Sequence, residues 1–225
     1  VLGAVLGARI GHCLFYEFDY YITKPWAIIT EFRNGGMASH GSALGMLLGM
    51  WITTRKHKMP YVWWLDRIMI PVAIGGALVR LGNMMNSEIV GRATDVPWGF
   101  KFVRLYPNIG EAMIPPQHPA QLYEAICYVI TFVILCVMYY KFDVGRHKPG
   151  IMFGVGVMGV FFTRPFIEMV KMNQEAFEAN MFLNMGQLLS LPFIAMAIYV
   201  LWRASKGGFV IGVPATKTHK VKKSK

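Results

Sequence analysis

Cysteine is nearly absent from this chain: Cys13, Cys127 and Cys136 are the whole complement of 225 residues. Their odd number and lack of ligand-like spacing argue against a disulfide framework and a zinc site, which leaves three small apolar residues inside hydrophobic segments. No secretory leader is visible, since the first residues lack a basic stretch and a cleavage site. No internal repeat is apparent. Acids are also few, twelve against 23 Lys and Arg, for a formal net charge of +11. Charged residues make up only 16% of the chain against 55% hydrophobic ones, with a mean hydropathy of +0.41. That balance excludes an ordinary soluble domain and fits a polytopic membrane protein.

Apolar runs at 1–18, 36–54, 62–82, 119–140, 150–169 and 183–203 are each near the ~20 residues that cross hydrocarbon as a helix. The expected fold is therefore an all-α transmembrane bundle of six spans over 1–203, followed by a tail at 204–225. Orientation follows from the basic excess on the cytoplasmic side. Arg55, Lys56 and Lys58 lie between spans two and three, and Lys141, Arg146 and Lys148 between four and five. The opposite loops, 19–35, 83–118 and 170–182, hold most of the acids, among them Glu88, Asp95 and Glu111. Those loops are expected outside and the C-terminus inside. The tail lysines Lys217, Lys220, Lys222, Lys223 and Lys225 form a polybasic segment worth about 1 kcal/mol per charge near an anionic leaflet. Because they directly follow a span, a membrane surface is expected as their partner rather than nucleic acid. The chain starts at Val1 and its first span begins abruptly, so further sequence is expected upstream. The longest outer segment, 83–118, carries Pro97, Trp98, Phe100, Pro107, Pro115 and Pro116 and is expected to form a partly ordered cap at the outer surface.

Arg9, Arg80 and Arg164 sit inside the spans. A guanidinium at the bilayer centre costs roughly 2.5–3.5 kcal/mol on insertion scales, so it must face a polar interior with a partner. Its planar fork of donors suits phosphate, which points to an anionic lipid headgroup as ligand. The densest polar cluster closes span three with Arg80, Asn83, Asn86, Glu88 and Arg92; Gly75, Gly76 and Gly82 are expected to allow close helix approach there. It reads either as a headgroup pocket or as an Arg–Glu lock between helices. Span two opens on a glycine-rich run around His40, which reads as a general base or as a structural histidine. His118 and Pro119 open span four, where Gln121 and Glu124 share one region, Glu124 needing a partner inside the bilayer. Arg164 and Glu168 are spaced as a helical pair that could satisfy itself, with phosphate as a second partner for Arg164. Arg9, His12 and Tyr16 share a face of span one. No metal and no redox cofactor are called for.

Together these motifs resemble those of the bacterial prolipoprotein diacylglyceryl transferases. The resemblance rests on Gly35-Gly36-Met37-Ala38-Ser39-His40-Gly41, the stretch Arg80–Gly91, His118-Pro119-Ala120-Gln121-Leu122-Tyr123-Glu124, Arg164 with Glu168, and Gly186–Pro192. It covers nearly everything from Val1 to about Trp202. It implies an inner-membrane enzyme of about seven spans. Such an enzyme moves the diacylglyceryl group of phosphatidylglycerol to the lipobox cysteine thiol of a prolipoprotein signal peptide and releases glycerol phosphate. By similarity His40, Arg80 and Arg164 fall on catalytic positions, and Arg9, Tyr16, Asn83, Asn86, Glu88, Gly91, His118, Gln121 and Glu168 are candidates for lipid binding. Two departures stand out: the family's first span is absent, and Val160 occupies a position where the family often has tyrosine. A thiolate displaces a phosphate ester, so either His40 removes the thiol proton or an arginine lowers the thiol pKa. The rival reading from another class is a transporter or channel for a small anion.

Overall fold

The computed structural model describes residues 2–15, 18–30, 39–172 and 183–209, with Phe15, Ile29, Ser39, His40 and Met185 placed by backbone alone. Tyr16, most of the glycine-rich run before His40 and the tail from residue 210 lie outside the described residues. The chain divides into two compact units, Val1–Trp64 with Gly212–Lys225 and Leu65–Ile211.

In the first unit, α1 (Leu2–Phe15) packs on α4 (Ser39–Lys56) through glycines spaced four apart. A Cβ at Gly7 would fall on the Gly41 carbonyl oxygen and one at Gly45 on that of Gly3, so backbone touches backbone along the seam. Backbone approach this close brings many atoms into van der Waals contact along the seam. Two short helices, α2 (Phe18–Thr23) and α3 (Ala27–Thr30), follow α1. Tyr21 and Ala27 close a small core with Cys13.

The second unit takes up most of α5 (Tyr61–Asn86), then α6 (Ala120–Tyr140), α7 (Val144–His147), α8 (Ile151–Phe161), α9 (Arg164–Glu168) and α10 (Met185–Ser205). Met69, Ala73, Leu135, Met152, Val157 and Ala197 form its core. Four stretches are long and apolar enough to cross a membrane: Tyr61–Asn86, Ala120–Tyr140, Ile151–Glu168 and Gly186–Ser205. They match four of the six expected spans. Of the other two, α1 has only 14 residues and α4, with 18, is not among the membrane-length apolar helices.

Three details differ from expectation or add to it. The fifth span is interrupted between Phe161 and Arg164, because Pro165 has no N–H to give to the carbonyl one turn earlier. Of the three glycines expected to bring helices together near Arg80, only Gly76 does so, against the Tyr128 ring. Gly75 and Gly82 meet nothing among the described residues, so they face away from the contact. Finally, Asp66 of α5 is fully buried and accepts hydrogen bonds from the Gly150 and Phe153 amides at 2.7 and 2.8 Å. A carboxylate from a neighbouring helix thus satisfies amides at the start of α8. Asp66→Ala would leave both amides buried without a partner, at a cost of about 1–3 kcal/mol each. A lower unfolding midpoint in detergent is the expected result, and an unchanged one would mean the amides find another acceptor.

Candidate active site

The site is built where α5 stops. Glu88 N bonds the Asn83 carbonyl at 2.9 Å, and Ser87 and Ile89 take positive φ of 59° and 56°. Left-handed backbone at a β-branched residue is strained, typically by 1–3 kcal/mol, and persists only where surrounding contacts fix it. Here they do. Asn83 Nδ2 donates to Glu88 Oε2 at 2.8 Å, and Gln121 Nε2 donates to the Glu88 carbonyl. Gly91 then passes so close to His118 that a Cβ would strike it, and its amide bonds the His118 carbonyl at 3.0 Å. The same strip holds the segment after α9: Arg92 N donates to the Val170 carbonyl at 2.8 Å and Arg92 Nε to the Lys171 carbonyl at 3.0 Å.

Segment 87–119 is ordered around this strip. Phe100 and Gln117 exchange backbone hydrogen bonds, Thr94 bonds Pro116, and Gln117 Nε2 donates to the Tyr106 hydroxyl at 3.0 Å. Trp98 Nε1 donates to the Tyr123 hydroxyl at 2.8 Å, and that hydroxyl lies 3.2 Å from His118 Nδ1.

The buried charges form a ladder. Arg80 Nε stands 2.6 Å from Glu124 Oε2, Lys171 Nζ stands 2.9 Å from Glu124 Oε1, and the same Nζ lies 3.0 Å from Glu168 Oε2. Glu124 is 1% exposed and Lys171 2%. The Arg80 contact is ionic but not aligned as a hydrogen bond, so Glu124 Oε2 keeps an unfilled acceptor position. Removing one partner from so buried a pair typically costs 3–5 kcal/mol. Glu124 thus has the partners its place in a span demands.

Arg164 is different. No ion pair or hydrogen bond of its guanidinium is found among the described residues, and its Nε is buried without a partner. The expected Arg164–Glu168 pair does not form, because Glu168 is held by Lys171 instead. Two carboxylates therefore face three cations, and Arg164 is the one left over. Tyr128 lies within electrostatic reach of Arg80, Glu124 and Arg164. Val160 packs in the same cluster as Tyr128, so a phenol stands beside the position where Val160 itself offers no hydroxyl.

Of the expected site residues, the structure gathers Arg80, Asn83, Glu88, Gly91, His118, Gln121 and Glu168 with Arg164 at the ends of α5, α6 and α9. Asn86 instead meets Arg104 of the loop, its Oδ1 3.5 Å from Arg104 Nη1. Arg9, in the first unit, is 3% exposed and gives Nε to the Ile28 carbonyl at 2.9 Å and Nη2 to Ala27 at 3.1 Å. It also lies over the Tyr21 ring. These contacts tie α3 to α1. The His40 side chain and Tyr16 lie outside the described residues. Sequence reasoning gave no role to Lys171, which falls in the expected outer loop 170–182, or to Gln187, which it met only within the Gly186–Pro192 motif. Gln187 completes a capping box with Asn184 and donates Nε2 to the Pro165 carbonyl at 3.1 Å, fixing α10 to α9.

Membrane-length helices carrying paired charges, with one guanidinium unpaired among them, define a polytopic membrane protein with a half-buried cationic centre. Residues 1–203 match the family model for prolipoprotein diacylglyceryl transferase, and the chain belongs to that family. Among similar proteins is the phosphatidylglycerol–prolipoprotein diacylglyceryl transferase of Porphyromonas gingivalis, 41% identical over 212 residues, covering 91% of this chain and 75% of the relative. The enzyme of the same name from Bacteroides fragilis is 41% identical over 211 residues, covering 89% and 73%. That of Chloroherpeton thalassium is 39% identical over 207 residues, covering 92% and 74%.

Proposed function

We propose that this chain transfers the diacylglyceryl group of phosphatidylglycerol to the lipobox cysteine of a prolipoprotein, the first step of bacterial lipoprotein maturation. The single observation that carries the reading is the unpaired Arg164 guanidinium beside a charge-balanced ladder. A cation inside a membrane span without an anion is costly, and a phosphate would remove that cost. In the reaction the thiolate sulfur forms a bond to the glyceryl carbon while the carbon–oxygen bond to phosphate breaks. The thiol proton goes to a base and glycerol phosphate departs. Arg164 and Arg80 would hold the phosphate as its negative charge grows, and His40 is the proposed base. Glu124 would hold Arg80 in place, Glu168 would hold Lys171, and the Asn83–Glu88 contact would fix the turn that ends α5.

The same reading extends to topology. Six spans in the inner membrane, with a cytoplasmic C-terminus, would put residues 83–118 as a cap at the outer surface and the site toward the outer leaflet. The supports are the loop charge asymmetry and the ordered loop between α5 and α6. Both substrates are then reached from the lipid phase. The test is incubation of the purified chain, in phosphatidylglycerol vesicles, with a lipobox peptide. The peptide is expected to gain the mass of one diacylglyceryl group in a thioether, and a peptide unchanged in mass would overturn the assignment.

A further inference from the structure

Arg164 and Glu168 are four residues apart on α9, the spacing at which opposite charges on a helix meet. Yet Glu168 turns to Lys171, and Gly186 abuts the same carboxylate so closely that a Cβ there would lie 2.6 Å from Oε1. Lys171 is itself fixed on every side. Its Nζ is shared with Glu124, its carbonyl receives Arg92 Nε, and its backbone bridges to Gly91. A fully buried lysine is rare unless paired, and this one is paired twice.

We propose that Lys171 is a positioning residue whose charge draws Glu168 away from Arg164 and so keeps the Arg164 fork open for the substrate phosphate. The role rests on the transferase reading given above. Without the ammonium, Glu168 loses its ionic partner, and the cation next within helical reach is Arg164, one turn earlier. Phosphate must then compete with a carboxylate built into the same helix. That carboxylate also repels the phosphate directly, in a setting where little water screens it. Nothing in the role needs Lys171 to touch substrate.

The test compares wild type, Lys171→Met, Lys171→Arg and the double variant Lys171→Met/Glu168→Gln in phosphatidylglycerol vesicles of graded lipid content. Transfer to a lipobox peptide is followed by mass. Lys171→Met is expected to raise KM for phosphatidylglycerol on the order of tenfold, with kcat changed less, as for a loss of ground-state binding. Adding Glu168→Gln removes the competing carboxylate and is expected to recover most of that loss. Lys171→Arg keeps the charge and is expected to raise KM less than Lys171→Met. A double variant no better than Lys171→Met would overturn the proposal, as would Lys171→Arg being equally impaired; a purely structural lysine predicts both. If Lys171→Met fails to accumulate in membranes, the double variant is expected to accumulate, since it no longer carries the Glu168 carboxylate deprived of its ammonium, and its absence too would overturn the proposal. An inactive wild type defeats the transferase reading and this inference with it, whereas an active wild type with an unrescued double variant defeats this inference alone.

Discussion

Arg80→Lys is expected to lower kcat/KM by about 10²–10³-fold, the usual cost of removing one donor aimed at developing negative charge, while the protein still accumulates in the membrane. The reason lies in how Arg80 is held. Its Nε stands in ionic contact with Glu124 at 2.6 Å, and only a planar fork can set one edge against a carboxylate and still offer further donors to a phosphate. Lysine has a single nitrogen. It either stays with Glu124 and abandons the phosphate or reaches for the phosphate and leaves Glu124 to Lys171 alone. Folding should tolerate the first outcome, since the ladder stays neutral. Arg164→Lys is expected to lose a comparable factor for a simpler reason, the loss of an uncommitted fork. Two ligands of one phosphate act as a unit, so the double variant should lose less than the product of the two single losses. Activities of the three variants, each corrected for the amount of protein in the membrane, decide it. Independent, multiplying losses or a fully active Arg80→Lys would mean the two arginines do not share a phosphate.

The cost of intramembrane charge made much of this site legible in the sequence. Arg80, Glu124 and Arg164 announce themselves because each is expensive where it stands, and helical spacing groups Arg80 with Asn83 and Gln121 with Glu124. The four most apolar spans were legible for the same reason, apolar length being a direct statement about hydrocarbon thickness. Pairing was not. A helix-spacing rule sees Arg164 and Glu168 as partners, but the true partner of Glu168 sits beyond the end of α9, and its second carboxylate, Glu124, is 47 residues away in sequence. Lys171 carries no local mark of burial, because a lone lysine next to a polar segment looks like any solvated loop charge. The glycines teach a related lesson. Gly41, Gly45 and Gly49 repeat at four-residue intervals, as do Gly3, Gly7 and Gly11, and matched periods on two helices make the seam. Gly75, Gly76 and Gly82 lack that period, and among the described residues only Gly76 meets a neighbour. Tertiary contacts across long separations, set by which faces meet, are what one-dimensional spacing cannot supply.

His40→Gln is expected to keep phosphatidylglycerol binding and lose turnover by about 10²–10⁴-fold, the range for removal of a general base. Glutamine keeps a hydrogen-bonding side chain of similar reach but cannot take a proton, so the variant separates proton removal from positioning. His40 is the second residue of α4, one step before Gly41, whose close contact with α1 fixes the backbone there. The comparison is His118→Gln. The His118 ring lies 3.2 Å from the Tyr123 hydroxyl, which also accepts from Trp98, and its carbonyl holds Gly91. Substituting that ring loosens the loop-to-α6 contact, so His118→Gln should lower the unfolding midpoint more than it lowers the rate. Turnover at saturating lipid, beside lipid affinity and unfolding midpoint for both variants, separates the two roles. A His40→Gln enzyme with near-normal turnover would transfer thiol activation to the unpaired Arg164, whose positive charge could stabilise the cysteine as thiolate without accepting its proton.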